Sequence, residues 1–560
     1  MSKNWQNLRL QLAALARRAK RVGIRRPNCQ ARYVPRLPER LLIAPQDLRT
    51  SDPTIAQDIY AGLFVFAGQV ENCEAQSPFL IRAPSTEWLH ELHGFRWLRH
   101  LRASDASLSR SNARVLVEDW ISNSSKLPAE AWALPVVANR VFAWLNNSPI
   151  ILQNADHDIY RSFLRALYLQ VRYLRASNAG MPDNAQRLHV LMAELAGWLC
   201  LSGKERYARS ASKKLVAELD AQILPDGGHV SRNPQVIVSI LLDLLPLRQT
   251  FLSRDMVPPD GINRAIERMM PMLRFFRHPS GDFGRFNGSG ATPADQLATI
   301  LAYDDTRGAP VSNATFSGYQ RIQAEQTVIL MDTGHCPPLE QSVQAHAGTL
   351  SFELSVGTSA FVINCGAPSS RHAGWRELAR STAAHSTLTV QDHSTCSIGP
   401  NPFDLGGRPL LCEATKVISE RAMDQAQETV HASHDGYGPL FGIQHDRQLW
   451  MTIDGRRLDG RDQLQSIGHG IKKGKDSFAI RFHLHPSVQM EKADDGELIY
   501  LGLSSGEIWK FASQEIEPSI EDSVFLSDIH GIQPTKQLVL YGHASHVPTI
   551  HWHFERVAYA

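Results

Sequence analysis

His346-Ala-Gly-Thr-Leu-Ser-Phe-Glu-Leu354, followed by Val-Ile-Asn364-Cys-Gly366 and then Arg380-Ser-Thr-Ala-Ala-His385-Ser-Thr-Leu388, is the stretch that decides the fold. Residues 349–356 and 359–365 carry β-branched and aromatic side chains on either side of Gly357-Thr358, the pattern of a hairpin. A histidine entering one strand and a polar residue leaving its partner are then neighbours. His346, Asn364 and His385 are of types that can converge on one ion, since zinc accepts imidazole nitrogen and oxygen in a tetrahedral shell. The same three residues could equally form a hydrogen-bonded polar core, and spacing alone leaves both readings open.

Working outward, short alternating or β-branched runs fill the second half: 327–331, 387–390, 449–453, 478–483, 507–511, 537–541 and 549–554. Turn residues separate them at the spacing of an antiparallel β-sandwich. Before about residue 310 the period is helical. Ile159, Phe163, Leu167 and Leu174 make one stripe, and Leu188, Leu191, Leu195 and Leu199 make another that stops at Gly203. Further helices are expected at 56–68, 88–103, 135–146, 205–223, 235–249 and 261–276. Helices first and strands afterwards make an α+β multidomain chain, with a helical domain over 1–310 and a β-sandwich over 315–560.

With Ser-His434-Asp-Gly-Tyr437, His445-Asp-Arg447, Asp454-Gly455 and Ile-Arg481-Phe-His483-Leu-His485-Pro486, the opening cassette resembles the C-terminal domain of the heparinase II/III family of polysaccharide lyases. The resemblance implies an incomplete (α/α) toroid followed by a stacked antiparallel β-sandwich. It also implies a metal site, usually zinc, for which the matching residues are His346, Asn364 and His385. Asn364 is a neutral amide where the family pattern has a carboxylate.

The activity implied is β-elimination on a uronic-acid polysaccharide, a carbon–oxygen lyase reaction. It requires a group that neutralises the substrate carboxylate, a base for the C5 proton and an acid for the leaving O4. Leu224-Pro-Asp226-Gly-Gly-His229-Val-Ser-Arg232-Asn-Pro234 resembles the family's Asp-Gly loop before a helix, a position suited to carboxylate contact. On that reading His229 and Tyr437 are the proton-transfer candidates, and Arg232, Asn233, Arg285 and Asn287 the substrate-binding ones. The bland alternatives are an interhelical loop with a capping Asn233, a Gly-rich turn at 281–288 and a buried Tyr437 at a β-corner.

Three positions depart from the family pattern. Gln344 stands where a second His is usual, Gly348 where an Asp is, and Val236 where a catalytic Tyr is. These departures support a second function of a different class, a non-catalytic glycan-binding or structural protein on the lyase fold. His434, His445, His483 and His485 are either lining residues or satisfied core histidines. Glu87, Trp88, His93, Phe95 and Trp97 suit sugar stacking but at helical spacing read as core.

Composition excludes some classes. The chain has 560 residues, 43% hydrophobic and 20% charged, and a formal charge of +2, which gives no support to a nucleic-acid partner. The basic run at Arg17, Arg18, Lys20, Arg21, Arg25 and Arg26 reads as a solvated helix end. No run approaches the ~20 apolar residues of a membrane span. Cys29, Cys73, Cys200, Cys336, Cys365, Cys396 and Cys412 form neither a metal-knuckle spacing nor a complete disulfide framework. Together with the lack of an export signal, this makes a cytoplasmic location the expectation, with the periplasm as the family-based alternative.

Overall fold

The computed structural model describes residues 34–557 except 75, 105–106, 305–307, 401–406, 413, 415, 469, 472–473 and 494–497. Before 34 it describes 8, 11–12, 14–17, 19, 24 and 26–30. The basic run of the N-terminal segment lies mostly outside these residues. The chain divides into two compact units. The first is Met1–Gln222 with Ser239–Glu267 and Ala298–Tyr303, and the second is Ile223–Val238, Arg268–Leu297 and Asp304–Ala560.

The first unit is built of helices whose termini follow their capping residues. Asp156 accepts the N–H of Ile159 to start His157–Ser177, and Asn184 accepts that of Arg187 to start Ala185–Cys200. The expected stripes are the buried faces, with Phe163, Leu167, Leu174, Leu188, Leu191, Leu195 and Leu199 all in the core. Trp88, Phe95 and Trp97 are core residues too, and Arg140 is fully buried with its guanidinium 4.2 Å from the Trp120 ring centroid.

Two expected helices are shorter than their periodicity suggests. The segment 56–68 is the helix Pro53–Tyr60 followed by a hairpin, Leu63–Phe66 with Gln69–Asn72. Alternating Leu-Phe-Val-Phe favours a strand, and Ala67 and Gly68, at φ 48° and 75°, form the two-residue turn. The segment 88–103 breaks at Phe95, whose left-handed φ of 57° ends Thr86–Gly94 before Leu98–Ala103 begins. The helix Pro234–Leu252 is long and apolar enough to cross a membrane, which the sequence reading did not anticipate. Its apolar window is 67% buried inside the protein, as in a core helix.

The second unit stacks two antiparallel sheets. One has eight strands in the order Val417–Met423, Gln427–His434, Ile443–Thr452, Arg457–Ser466, Thr549–Arg556, Ile508–Ser513, Ile499–Gly502 and Gln489–Lys492. The other has nine. It runs Ser519–Phe525, Gln533–His543, Ser477–Leu484, Ser359–Ile363, Phe352–Val356, Thr327–Asp332, Tyr319–Ala324 and Asn313–Ala314, with Leu388–Val390 also pairing Ser477–Leu484. Their inner faces share one core, in which Phe352 of one sheet stacks on Trp552 of the other at 5.8 Å. Phe352–Val356 is buried on both faces, because its outward Glu353 and Ser355 meet His278, and Glu353 also accepts the Arg285 N–H. The expected linear boundary near 310–315 is therefore replaced by an interleaved one. The segments 223–238 and 268–297 belong with the sandwich because their side chains hydrogen-bond to it.

A buried ion network crosses the sandwich. Arg447 and Asp462 have no exposed side-chain surface and form a two-pronged pair, Nε to Oδ1 at 2.7 Å and Nη2 to Oδ2 at 3.0 Å. His445 and the Trp552 indole reach the same carboxylate at 2.6 and 2.8 Å. Arg447 Nη1 donates to the Leu350 and Ser386 carbonyls at 3.0 and 2.9 Å. Removing one member of a buried pair leaves a charge without compensation. Asp462→Ala should therefore lose about 3–5 kcal/mol in urea unfolding. Asp462→Leu combined with Arg447→Met should recover a large part. A loss below about 1 kcal/mol in the single variant would show that the network contributes little to stability.

Candidate functional site

Every site residue expected from the sequence lies in the second unit, in its loops and the strands they meet. The Asp-Gly loop closes by an isolated bridge between Ile223 and His229, and Asp226 accepts the Ser317 N–H and hydroxyl, both at 2.7 Å. Gly227 has φ 90°, and a Cβ there would collide with the Arg268 carbonyl oxygen. Gly227 is required by close packing against the helix Asp260–Phe276, and Gly228 by close packing against Ser317.

Arg232 is the hub. Its Nε donates to Ser317 O at 2.8 Å, Nη1 to Gly334 O and His335 O at 3.2 and 2.8 Å, and Nη2 to Gly318 O and Asp332 Oδ1 at 2.9 and 2.5 Å. A guanidinium has five N–H donors, so all are engaged within the protein. Its carbon lies 4.7 Å from the Tyr319 ring centroid. Burial alone would lower its pKa, but Asp332 beside it reverses this and the net shift is upward.

The other loop candidates are similarly occupied. Asn233 Oδ1 accepts the Gln235 N–H at 2.9 Å and so caps the helix Pro234–Leu252, the capping role foreseen as the alternative. Asn287 Nδ2 donates to Tyr319 Oη at 2.8 Å and Asp332 Oδ2 at 3.0 Å, and its Oδ1 accepts the His346 N–H at 3.3 Å. His229 is buried with Nδ1 facing the Ser231 N–H at 3.0 Å and the Ser231 hydroxyl at 2.7 Å; both can donate, which places the ring proton on Nε2. Burial holds this imidazole down to about 3. Tyr437 belongs to the sandwich core, its hydroxyl donating to Leu388 O at 2.8 Å, and burial raises its pKa. It is a β-corner tyrosine and has no surface from which to meet a polymer.

Arg285 differs from these. Its backbone N–H donates to Glu353 and its Nη2 to Asp282 at 2.9 Å, and the guanidinium lies 4.9 Å from the Phe525 ring centroid. Its side chain is buried, and its Nε and Nη1 have no hydrogen-bond partner among the described residues.

The histidine pair expected from the cassette is assembled. His346 Nδ1 and His385 Nε2 are 3.1 Å apart, both rings buried and set edge-on. His385 Nδ1 is 2.8 Å from Ser381 O and so carries the proton, which leaves its Nε2 lone pair toward His346. Two nitrogens bound to one tetrahedral zinc at ~2.0–2.1 Å would be about 3.3 Å apart, so the pair fits such an ion. Burial, then the neighbouring His385, hold His346 far below the ordinary imidazole range, and burial brings His385 to about 4. Gly348 makes room for this ring, since a Cβ there would sit 2.7 Å from His385 Cδ2.

Asn364 is engaged elsewhere. Its Oδ1 accepts the Ser386 N–H at 3.0 Å and its Nδ2 faces Glu353 at 3.4 Å. Two of the three expected residues thus converge, and the third links Ser386 to the strand Phe352–Val356. Sequence reasoning missed Glu353 and His278, a buried pair 3.2 Å apart beside this group. Glu353 lies on the outward face of its strand, where His278 and the backbone of Arg285 cover it. Of the remaining histidines, His445 belongs to the ion network, His434 accepts the Gly436 N–H, and His483 contacts Ser523 and the Ala383 carbonyl; all three are buried. His485 contacts Ser487 at 2.8 Å.

Two measurements check this arrangement. Arg232→Ala should lose about 3–5 kcal/mol of stability because it leaves Asp332 buried and unpaired, whereas Arg285→Ala should lose clearly less. The second uses pH. The folded His229 pKa lies below the ~6.5 of an unfolded chain, so the unfolded state takes up the proton first. The contribution of neutral His229 is complete above about pH 6.5 and declines as pH falls toward its folded value. Between pH 7.5 and 5 the wild type should therefore lose about 2 kcal/mol more than His229→Gln does. Equal losses would place His229 in a solvated setting.

Comparison with known proteins agrees with this architecture. Residues 306–553 match the family described as Heparinase II/III-like, C-terminal. FtsZ-localized protein C of Caulobacter vibrioides is 29% identical over 523 residues, covering 90% of this chain and 88% of that protein. A crystal structure of heparinase III shares the fold with a TM-score of 0.69 at 13% identity, over 98% of this chain and 90% of that one. A mutant of the heparan sulfate lyase HepC from Pedobacter heparinus does so with a TM-score of 0.62 at 15% identity, over 100% of this chain and 90% of that one. The toroid-plus-sandwich class expected from the sequence is the fold of these structures. Residues 306–553 are therefore a heparinase II/III-like C-terminal domain, in a chain that shares the fold of heparinase III and of the lyase HepC.

Proposed function

We propose that this chain engages an acidic, uronate-containing polysaccharide on a lyase fold whose proton-transfer positions have been given over to structural use. The observation that carries the loss of proton transfer is the Tyr437 hydroxyl, bonded to the Leu388 carbonyl inside the sandwich core, while Arg232 has all five donors engaged inside the protein. Val236 and Gln344 in place of proton carriers point the same way, since neither Val nor an amide can perform general acid–base catalysis. Arg285 is the carboxylate contact.

A second reading, a carbon–oxygen lyase working by β-elimination, is favoured by the assembled His346–His385 pair. Zinc there would be held by these two nitrogens and would fix the two segments that carry them. The name of the Caulobacter relative supports placing this chain with FtsZ, and with the scattered cysteines it favours the cytoplasm over the periplasm. A fluorescent fusion imaged with labelled FtsZ tests the location.

A panel of uronate polymers separates the two readings. Under the first, polymers are retained on immobilised protein, no unsaturated-uronate absorbance develops, and Arg285→Ala weakens retention by about tenfold, the loss of one charge-assisted contact. Steady growth of ultraviolet absorbance with wild type would favour the lyase. Absence of both retention and cleavage would remove the polysaccharide reading. For zinc at the histidine pair, elemental analysis should find about one equivalent less in His346→Ala than in the wild type.

A further inference from the structure

Cys336 is 76 residues before Cys412, and Cys396 is 16 before it, yet their sulfurs all lie within 4.8 Å of one another. Among the described residues no other group of three Cys, His, Asp or Glu side chains converges as closely. Cys396 and Cys412 are register partners on the two-stranded sheet Cys396–Ile398 and Leu410–Cys412. Cys336 comes from the segment following Thr327–Asp332, and the Cys412 sulfur is within bonding reach of both others. A sulfur forms only one disulfide, so no covalent pairing uses all three. A metal ion can bind three, because sulfurs around one tetrahedral zinc at ~2.3 Å are roughly 3.8 Å apart.

Two cations are held against this hairpin. Arg408 Nε donates to Gly399 O at 2.9 Å, and Arg380 donates to Arg408 O at 2.8 Å and to Ser342 O at 3.0 Å. Ser342 in turn receives the Leu410 N–H at 2.9 Å. The remaining cysteines are single and buried.

We propose that Cys336, Cys396 and Cys412 form a three-thiolate site for a thiophilic d10 cation, zinc being the probe, separate from the His346–His385 pair. Three S–H bonds release three protons to solvent as three sulfur–metal bonds form, with no change in oxidation state. The fourth position is open to water or an added ligand. The ion clamps the 396–412 hairpin to residue 336, next to the His335 carbonyl that Arg232 holds.

The test uses full-length protein purified under anaerobic, reducing conditions. Cobalt(II) should give thiolate-to-metal charge-transfer absorbance at one equivalent, and zinc should abolish it. Zinc should also protect the three cysteines from alkylation, with a chelator restoring reactivity. Cys336→Ser, Cys396→Ser and Cys412→Ser should each weaken cobalt binding at least tenfold, while Cys200→Ser and His346→Ala leave the band unchanged. Absence of the band in reduced wild type overturns the proposal. So does peptide mapping that finds Cys412 disulfide-bonded in that preparation, or a band that survives any of the three serine variants.

Discussion

The Arg447–Asp462 pair is the constraint on which the sandwich and its histidine site both depend. Burying a guanidinium and a carboxylate is tolerated only when nearly every donor and lone pair finds a partner. Here the carboxylate is met by Arg447, His445 and Trp552. The spare Arg447 nitrogen reaches Leu350 and Ser386, four residues after His346 and one after His385. The charge network thus sets the spacing of two chain segments that local propensity would not bring together. A cation at the histidine pair would find its ligands already placed, which lowers the entropy cost of binding.

Arg232 does the same for the loops. One side chain ties 232 to 317, 318, 332, 334 and 335, and Asn287 adds the neighbouring loop through Tyr319 and Asp332. Groups that look available on paper, cationic and amide side chains in Gly-rich loops, are the mortar of the unit. This separates residue type from residue availability. Arg and Asn suit a carboxylate ligand, and they suit backbone carbonyls and a buried Asp just as well.

That distinction explains what the sequence disclosed. Helical stripes such as Leu188–Leu199 and strands such as 478–483 were legible because period and burial report on the same face. The His346–His385 pair was legible through its motif. The helix break at Phe95 was not, since apolar spacing carries no information on φ, and at Leu63–Phe66 the strand alternation was masked by the helical period of the preceding residues. Nor was the engagement of Arg232 with Asp332, a hundred residues away, or the burial of Glu353 by a loop from the preceding half. The convergence of Cys336 with Cys396 and Cys412 has no spacing signature at all. The last three are long-range pairings, and single-residue preferences do not encode them.

The outer strands of both sheets carry a consequence of their own. Asn313–Ala314 has two residues and Gln489–Lys492 four, while Val417–Met423 and Ser519–Phe525 place Glu420, Arg421, Glu521 and Asp522 along their edges. Short or charged borders discourage another chain from adding a strand. The strand edges of both sheets are therefore poor templates for backbone pairing with another chain.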